Sequence, residues 1–393
     1  MIDKPERRAI ISGVGQSAIG RRLFRTDLDL TCDAALNAIT DAGLTPDDID
    51  GIAAYPGPIG GPPGFAGPGI YEVQECLGID LGWHLSGAEG PAQISPIIHA
   101  MLAVAAGLCR HALVYRTVSE ATAAADTGRL GIGVGSHEIR GFGAFLIPFG
   151  AMSAANWLAL YARRHMYEFG TTREHMGLIA TTARRHAGLN PSAIYRDPMS
   201  MEDYLNARMV TDPFGLYDCD VPCDGSTAVI VSRAEIAHDL PHRAVRFEAV
   251  GSAIRARPSW DQWEDITTMS ARDAAEQLWT RTDLKPADVD TAQLYDGFSI
   301  IVFQWLEALG FCGEGEAAAF VREGNTRLGG SLPVNTDGGA CNVGRRHGAN
   351  FCIESTRQLR GGQSGERQVE GAEVAVWTNA VGPFAAGAIL TKG

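Results

Sequence analysis

The sequence predicts an α/β fold built from two homologous halves, and three observations carry that reading. Apolar β-like runs alternate with helix-length segments along the chain, as sheets covered by helices require. A run of residue types recurs at a constant offset of 240 positions. Glycine makes up 47 of the 393 residues, against a usual share of roughly 7%, so the backbone must turn tightly or approach other groups closely at many points.

The repeat is specific. Asp33-Ala34-Ala35 opens a helical stretch, Leu44-Thr45-Pro46-Asp47-Asp48-Ile49-Asp50 follows, and a strand ends at Tyr55. The same order returns as Asp273-Ala274-Ala275, Leu284-Lys285-Pro286-Ala287-Asp288-Val289-Asp290 and Tyr295. The acids after each proline suit a capped turn before the strand. Upstream, Ala9 to Gly15 and Ala249 to Ser252 read as the first strand of each half, leading into a glycine turn. The first half is expected to span 1–240 and the second 241–393. The first is longer, and its excess at 118–212 reads as an inserted loop domain, with a glycine-rich run from Gly128 to Gly150 and helices near 151–167 and 172–188.

Within the first half, 91–107 is apolar nearly all round and predicts a buried helix, followed by the β-run Ala112 to Arg116. In the second half, helices are expected over 298–309 and 351–359, and strands over 373–378 and 385–390. The proline-rich stretch 55–64 lacks the Lys-Ser/Thr ending of a phosphate-binding loop, and its prolines remove N–H donors; it reads as a surface or interface loop.

Composition narrows the function classes. With 33 basic and 46 acidic residues the formal charge is −13, which disfavours nucleic acid, whose phosphates need clustered Lys and Arg. The N-terminus carries no apolar run of a signal peptide, and 94–109 is too short to span a bilayer; a soluble, cytoplasmic protein is expected. Eight scattered cysteines make no disulfide framework. Cys219 and Cys223 lack the second ligand pair of a zinc site, so no metal is expected.

The segments Met209 to Pro213, Cys219 to Ala228, Tyr295-Asp296-Gly297-Phe298 and Val334 to Gly339 resemble the thiolase superfamily, and within it the sterol-carrier-protein thiolase-like branch. The resemblance covers nearly the whole chain. It implies a five-layered αβαβα fold, a homodimer, and an acyl-CoA substrate held by its pantetheine arm, with CoA entering only as part of that substrate and no separate cofactor.

The nucleophile of that family is absent. Its cysteine, at the start of the buried helix where the dipole favours thiolate, falls at or beside Gly90. Its second cysteine falls near Asn379 to Gly382, and no cysteine stands there either. The family's Gly-His-Pro histidine falls at Arg345, with His347 two residues on. This pattern resembles the cysteine-less steroid side-chain aldolases of the branch, which cleave a β-hydroxyacyl-CoA by a retro-aldol reaction. That resemblance makes Tyr295 an acid/base residue, expects a second tyrosine where Arg345 stands, and implies a small OB-fold, zinc-ribbon partner protein in a heterotetramer.

Retro-aldol cleavage needs a base for the β-hydroxyl proton and donors for the thioester enolate. Tyr295 is the expected base, with Arg345 or His347 lowering its pKa or relaying the proton. Backbone N–H groups at Gly90 and Gly382 are expected to hold the thioester oxygen. Asp296 is expected to orient its neighbours, Asn342 to line the pocket, and Gly338 and Gly339 to allow a tight loop beside it. Two other functions remain open on residues alone: a different C–C bond-forming or acyl-transferring acyl-CoA enzyme, and a catalytically inert acyl-CoA or lipid carrier.

Overall fold

The computed structural model describes residues 4–56, 63–87, 94–127, 141, 143–255, 260–261, 263–380 and 382–393. The strands are β1 Ala9–Gln16, β2 Gly51–Ala54, β3 Trp83–Ser86, β4 His111–Ser119, β5 Met209–Thr211, β6 Phe214–Gly215, β7 Asp224–Arg233, β8 Val245–Ile254, β9 Thr291–Gln293, β10 Val374–Ala380 and β11 Phe384–Lys392. The helices are α1 Asp27–Asp41, α2 Ile70–Leu77, α3 Ile94–Ala105, α4 Glu120–Thr127, α5 Gly143–Leu146, α6 Ala154–Phe169, α7 Arg173–Gly188, α8 Met201–Leu205, α9 Ser270–Thr280, α10 Ser299–Ala308, α11 Ala317–Arg322, α12 Ala340–Val343 and α13 Ala349–Arg360.

Nine strands form one sheet in the order β3-β2-β4-β7-β1-β8-β11-β10-β9. The order reads symmetrically outward from the β1–β8 contact. On one side β7 is antiparallel to β1 and β4 lies beyond it, followed by the parallel strand β2. On the other, β11 is antiparallel to β8, followed by β10 and its parallel neighbour β9. Only Ile10 with Arg246 and Ile11 with Val245 join the two sides. Helices α3 and α13 bury Ile97, Met101, Phe351 and Ile353 in one core fed by strands of both sides. The opposite faces are covered by α1 and α2 in one core and by α6, α7, α9 and α10 in another. Helices therefore lie between the two sides of this sheet and on the outer face of each, the αβαβα order expected.

The repeated acids do two jobs. Asp48 accepts from the Thr45 backbone N–H at 2.8 Å and Asp288 from that of Lys285 at 2.7 Å, closing the short turns after each proline. Asp50 reaches the N–H groups of Arg110 and His111 at the head of β4, and Asp290 those of Glu373 and Val374 at the head of β10. Each thus places the next parallel strand against its own, so Tyr55 and Tyr295 leave the sheet at corresponding points.

The upstream glycines depart from expectation. Gly13 and Gly15 lie inside β1, and Gly251 lies inside β8, rather than in turns. A Cβ on Gly15 would penetrate the α1 backbone at Ala34 and Ala38, and one on Gly251 would strike the carbonyl oxygen of Ala274 in α9. Both glycines let a helix carrying the Asp-Ala-Ala motif lie directly on its strand. Gly15→Ala is therefore expected to lower stability by about 1–3 kcal/mol or more, read as a lower urea midpoint at unchanged slope.

Helices α6 and α7 begin where capping chemistry allows. The Asn156 side chain accepts from the Ser153 N–H at 3.2 Å, and Thr172 caps through the His175 N–H. Gly170, at φ 68°, ends α6 in the left-handed conformation that glycine adopts freely. On α1 and α2 the thiols of Cys32 and Cys76 stand 2.7 Å apart. Among the described residues no single helix is long and apolar enough to cross a membrane, and no group of three or more His, Cys, Asp or Glu could hold a metal.

Candidate active site

Four segments meet at the carboxyl ends of the parallel strands, where open α/β sheets place their sites. Tyr55 follows β2, Arg116 lies toward the end of β4, Tyr295 follows β9, and Thr378, Asn379 and Ala380 end β10. Loops 219–223 and 344–348 close over them. The Thr378 hydroxyl accepts from the Tyr295 N–H at 3.0 Å. The Asn379 amide donates to the His347 carbonyl, and the Trp377 indole donates to that of Gly348 at 3.1 Å. These bonds hold His347 in its left-handed backbone conformation, φ 54°, which is uncommon outside glycine.

Tyr295, Arg345 and His347 are brought together as expected, but not in the expected electrostatic roles. Burial raises the Tyr295 phenol well above its ordinary value of 10, and the charge of Asp220 adds to it; Arg345 opposes this and does not prevail. Tyr295 is therefore a neutral phenol, not a phenolate prepared by a cation. The reason lies in the partners of Arg345. Its Nε and Nη2 donate to the two Glu120 oxygens at 2.9 and 2.7 Å, and its Nη1 lies 3.6 Å from Asp220. Burial works against its charge, but these carboxylates outweigh the desolvation and raise its pKa further. An arginine held by two acids is a permanent structural cation, and its fork is already occupied, so a role in gripping a CoA phosphate is not supported.

His347 is also corrected. Arg116 can only donate, and its Nη2 lies 3.1 Å from His347 Nδ1. The ring proton therefore sits on Nε2. Burial, with the charges of Arg116 and Arg345, holds the imidazole pKa well below 6.5. A neutral ring with its proton on Nε2 donates there and does not accept, so the expected proton relay through His347 gives way to a donor role.

Arg116 was not singled out in the sequence, yet it organises this side of the site. It is 2% exposed, donates to the carbonyls of Phe65 and Thr117, and lies over the rings of Tyr55 and Phe65 at 5.5 and 4.7 Å. Phe65 in turn meets the His347 ring edge-on, with centroids 5.0 Å apart. A lone arginine inside the apolar run Ala112 to Val118 was the available signal, because burying a charge requires dedicated partners. Glu120 and Asp220 carried no local signal of this kind.

The remaining candidates face elsewhere. The Asp296 carboxylate accepts from the Ala340 N–H at 2.7 Å and holds the start of α12; burial pushes its pKa up to about 8. A Cβ on Gly339 would collide with that carboxylate, and one on Gly338 would lie 2.5 Å from the Ala187 side chain. These glycines allow the tight loop before α12 to pack closely on Asp296 and α7. Asn342 spends its side chain on Arg184 at 2.6 Å and the Gly338 carbonyl at 2.7 Å. Gly382 sits in the turn after β10, beneath the Trp260 ring. Gly90 lies outside the described residues.

Buried neutral histidines make stability depend on acid. Burial lowers the pKa of His111, His186 and His347. Below about pH 6.5 the unfolded chain takes up protons that the folded chain refuses, so stability is present above that pH and is lost as pH falls through it. Each histidine contributes up to ~1.4 kcal/mol per pH unit. Urea midpoints at pH 7.5 and 5.5 are expected to differ clearly; equal midpoints would overturn the neutral assignment.

Comparison with known proteins agrees with this layout. The thiolase C-terminal domain-like family model matches residues 252–391. The chain is 34% identical over 364 residues to a steroid side-chain-cleaving aldolase of Thermomonospora curvata, covering 90% of each. It is 33% identical over 403 residues to the 17-hydroxy-3-oxo-4-pregnene-20-carboxyl-CoA lyase of Mycobacterium tuberculosis, covering 98% of this chain and 99% of that one. The solved Ltp2-ChsH2(DUF35) aldolase superposes with a TM-score of 0.87 at 31% identity, over 98% of each chain.

Proposed function

We propose, from the premise that this chain belongs to the cysteine-less aldolase branch of the thiolase superfamily, a retro-aldol mechanism centred on Tyr295 and Asp220. The protein is a carbon–carbon lyase that breaks a C–C bond of an acyl-CoA. The observation that carries the mechanism is a proton-transfer group beside fully buried, inert thiols. Burial raises Cys341 well above its ordinary range, and its thiol donates to the Asp296 carbonyl at 3.0 Å. Burial likewise pushes Cys223 up to about 12. A thiol held protonated is a poor nucleophile, whereas retro-aldol cleavage needs none.

In this reading the β-hydroxyl proton passes to the Tyr295 oxygen as the phenol proton passes to Asp220. The C–O bond of the hydroxyl-bearing carbon becomes a carbonyl, the adjacent C–C bond breaks, and its electron pair moves onto the thioester as an enolate. Return of a proton to the enolate carbon releases a shortened acyl-CoA and restores Tyr295 and Asp220. Arg345 keeps Asp220 and Glu120 paired through the cycle. The Nε2–H of His347 offers a hydrogen bond to the substrate without competing for its proton. CoA enters as part of the substrate, and no further cofactor takes part.

The substrate class we propose is a β-hydroxyacyl-CoA whose hydroxyl carbon belongs to a steroid ring, after the lyase relative above. A small partner of the DUF35 type, an OB-fold with a zinc ribbon, is proposed to complete the acyl-CoA tunnel, after the structural neighbour. A panel of β-hydroxyacyl-CoAs, with and without that partner, tests both. Mass spectrometry should find a ketone or aldehyde together with the shortened acyl-CoA; a 3-ketoacyl or free-acid product instead would overturn the mechanism.

A further inference from the structure

Beside Gly382, which follows β10, lie buried hydroxyls that no group among the described residues satisfies. Tyr161, on α6, is fully buried, and its hydroxyl has no hydrogen-bond partner among the described residues. The same holds for the hydroxyls of Thr268 and Ser270. Ser270 lies against the turn, since its backbone N–H donates to the Gly382 carbonyl at 3.2 Å. Tyr161 does so as well: a Cβ on Gly382 would lie 3.0 Å from its hydroxyl oxygen and 2.9 Å from the Trp260 ring. Between Thr268 and Ser270, Met269 adopts φ 48°, a strained conformation for a residue with a side chain.

Native proteins rarely leave a buried hydroxyl unpaired, and two beside Gly382, those of Tyr161 and Ser270, call for an acceptor. Gly382 follows the strand end that carries the proton-transfer site, since Thr378 and Asn379 of β10 hold Tyr295 and His347. The forming enolate needs donors that keep their protons. Burial first, and the charge of Asp261 second, raise the Tyr161 phenol above its ordinary range, so it stays protonated.

We propose that Tyr161, with Ser270 beside it, binds the thioester oxygen of the acyl-CoA substrate, its hydroxyl donating to that oxygen as it becomes the enolate oxygen. This inference rests on the lyase reading above. Gly382 is then a position where a side chain would fill the space between Tyr161 and the thioester.

The test compares the full chain with Tyr161→Phe, each with the partner protein if cleavage needs it. Without ligand, Tyr161→Phe is expected to melt at the same temperature or higher, because the hydroxyl it removes has no partner. Its single-turnover cleavage rate is expected to fall about 10²–10³-fold. Acetyl-CoA should raise the parent's melting temperature more than the variant's, whereas free CoA, which lacks the thioester oxygen, should shift both alike. A cleavage rate within twofold of the parent, or a melting temperature several degrees lower, overturns the proposal. If the parent cleaves no substrate, the lyase reading fails and acetyl-CoA decides the recess alone: a larger shift for the parent supports it, and equal shifts or none overturn it.

Discussion

Tyr295→Phe is expected to slow cleavage of the β-hydroxyacyl-CoA by about 10²–10⁴-fold while the melting temperature stays within a few degrees of the parent. The substitution removes one oxygen from a ring packed between two cores, so packing is kept and only proton transfer is lost. Because Asp220 bears on the same phenol, Asp220→Asn should lower the rate by the same route. An unchanged rate in Tyr295→Phe would place the proton acceptor elsewhere.

Arg345→Met is the larger stability prediction. The guanidinium neutralises Glu120 and Asp220, which are 8% and 7% exposed. Without it two carboxylates remain buried and close together, and breaking such a network by removing one partner costs about 3–5 kcal/mol. The urea midpoint should fall accordingly. Adding Glu120→Gln should restore part of the loss, since it removes one of the stranded charges. A single variant as stable as the parent would show that solvent reaches these acids.

The periodic part of the molecule was legible in the sequence. The repeated Pro-x-Asp segments announced corresponding turns because local capping chemistry dictates them, the repeated Asp-Ala-Ala segments lie inside corresponding helices, and Tyr55 and Tyr295 fall at matching strand ends. Tyr295, Arg345 and His347 were named from the family resemblance, and the folded chain brings their charges to bear on one another. Their charge states were not legible. Glu120 lies 225 positions from Arg345 and Arg116 lies 231 from His347, so the partners that set the electrostatics come from elements only the folded chain brings together. The partners of Asp296, Gly338, Gly339 and Asn342 were not legible either. These residues neighbour Tyr295 and Arg345 in sequence, but the backbone turns them toward α7 and α12, where their polar groups are already used.

The position of β1 carries a consequence for how the chain is made. The strand sits between β7 and β8, and its first residue pairs with Arg233. At roughly 5–20 residues per second of synthesis, β1 waits on the order of ten seconds or more for either neighbour to exist. Ring closure over so long a loop adds little to stability but delays pairing, because its entropy must be lost before any contact returns it. The nascent chain therefore carries β1 without either sheet neighbour until the whole of the segment up to β7 has been made.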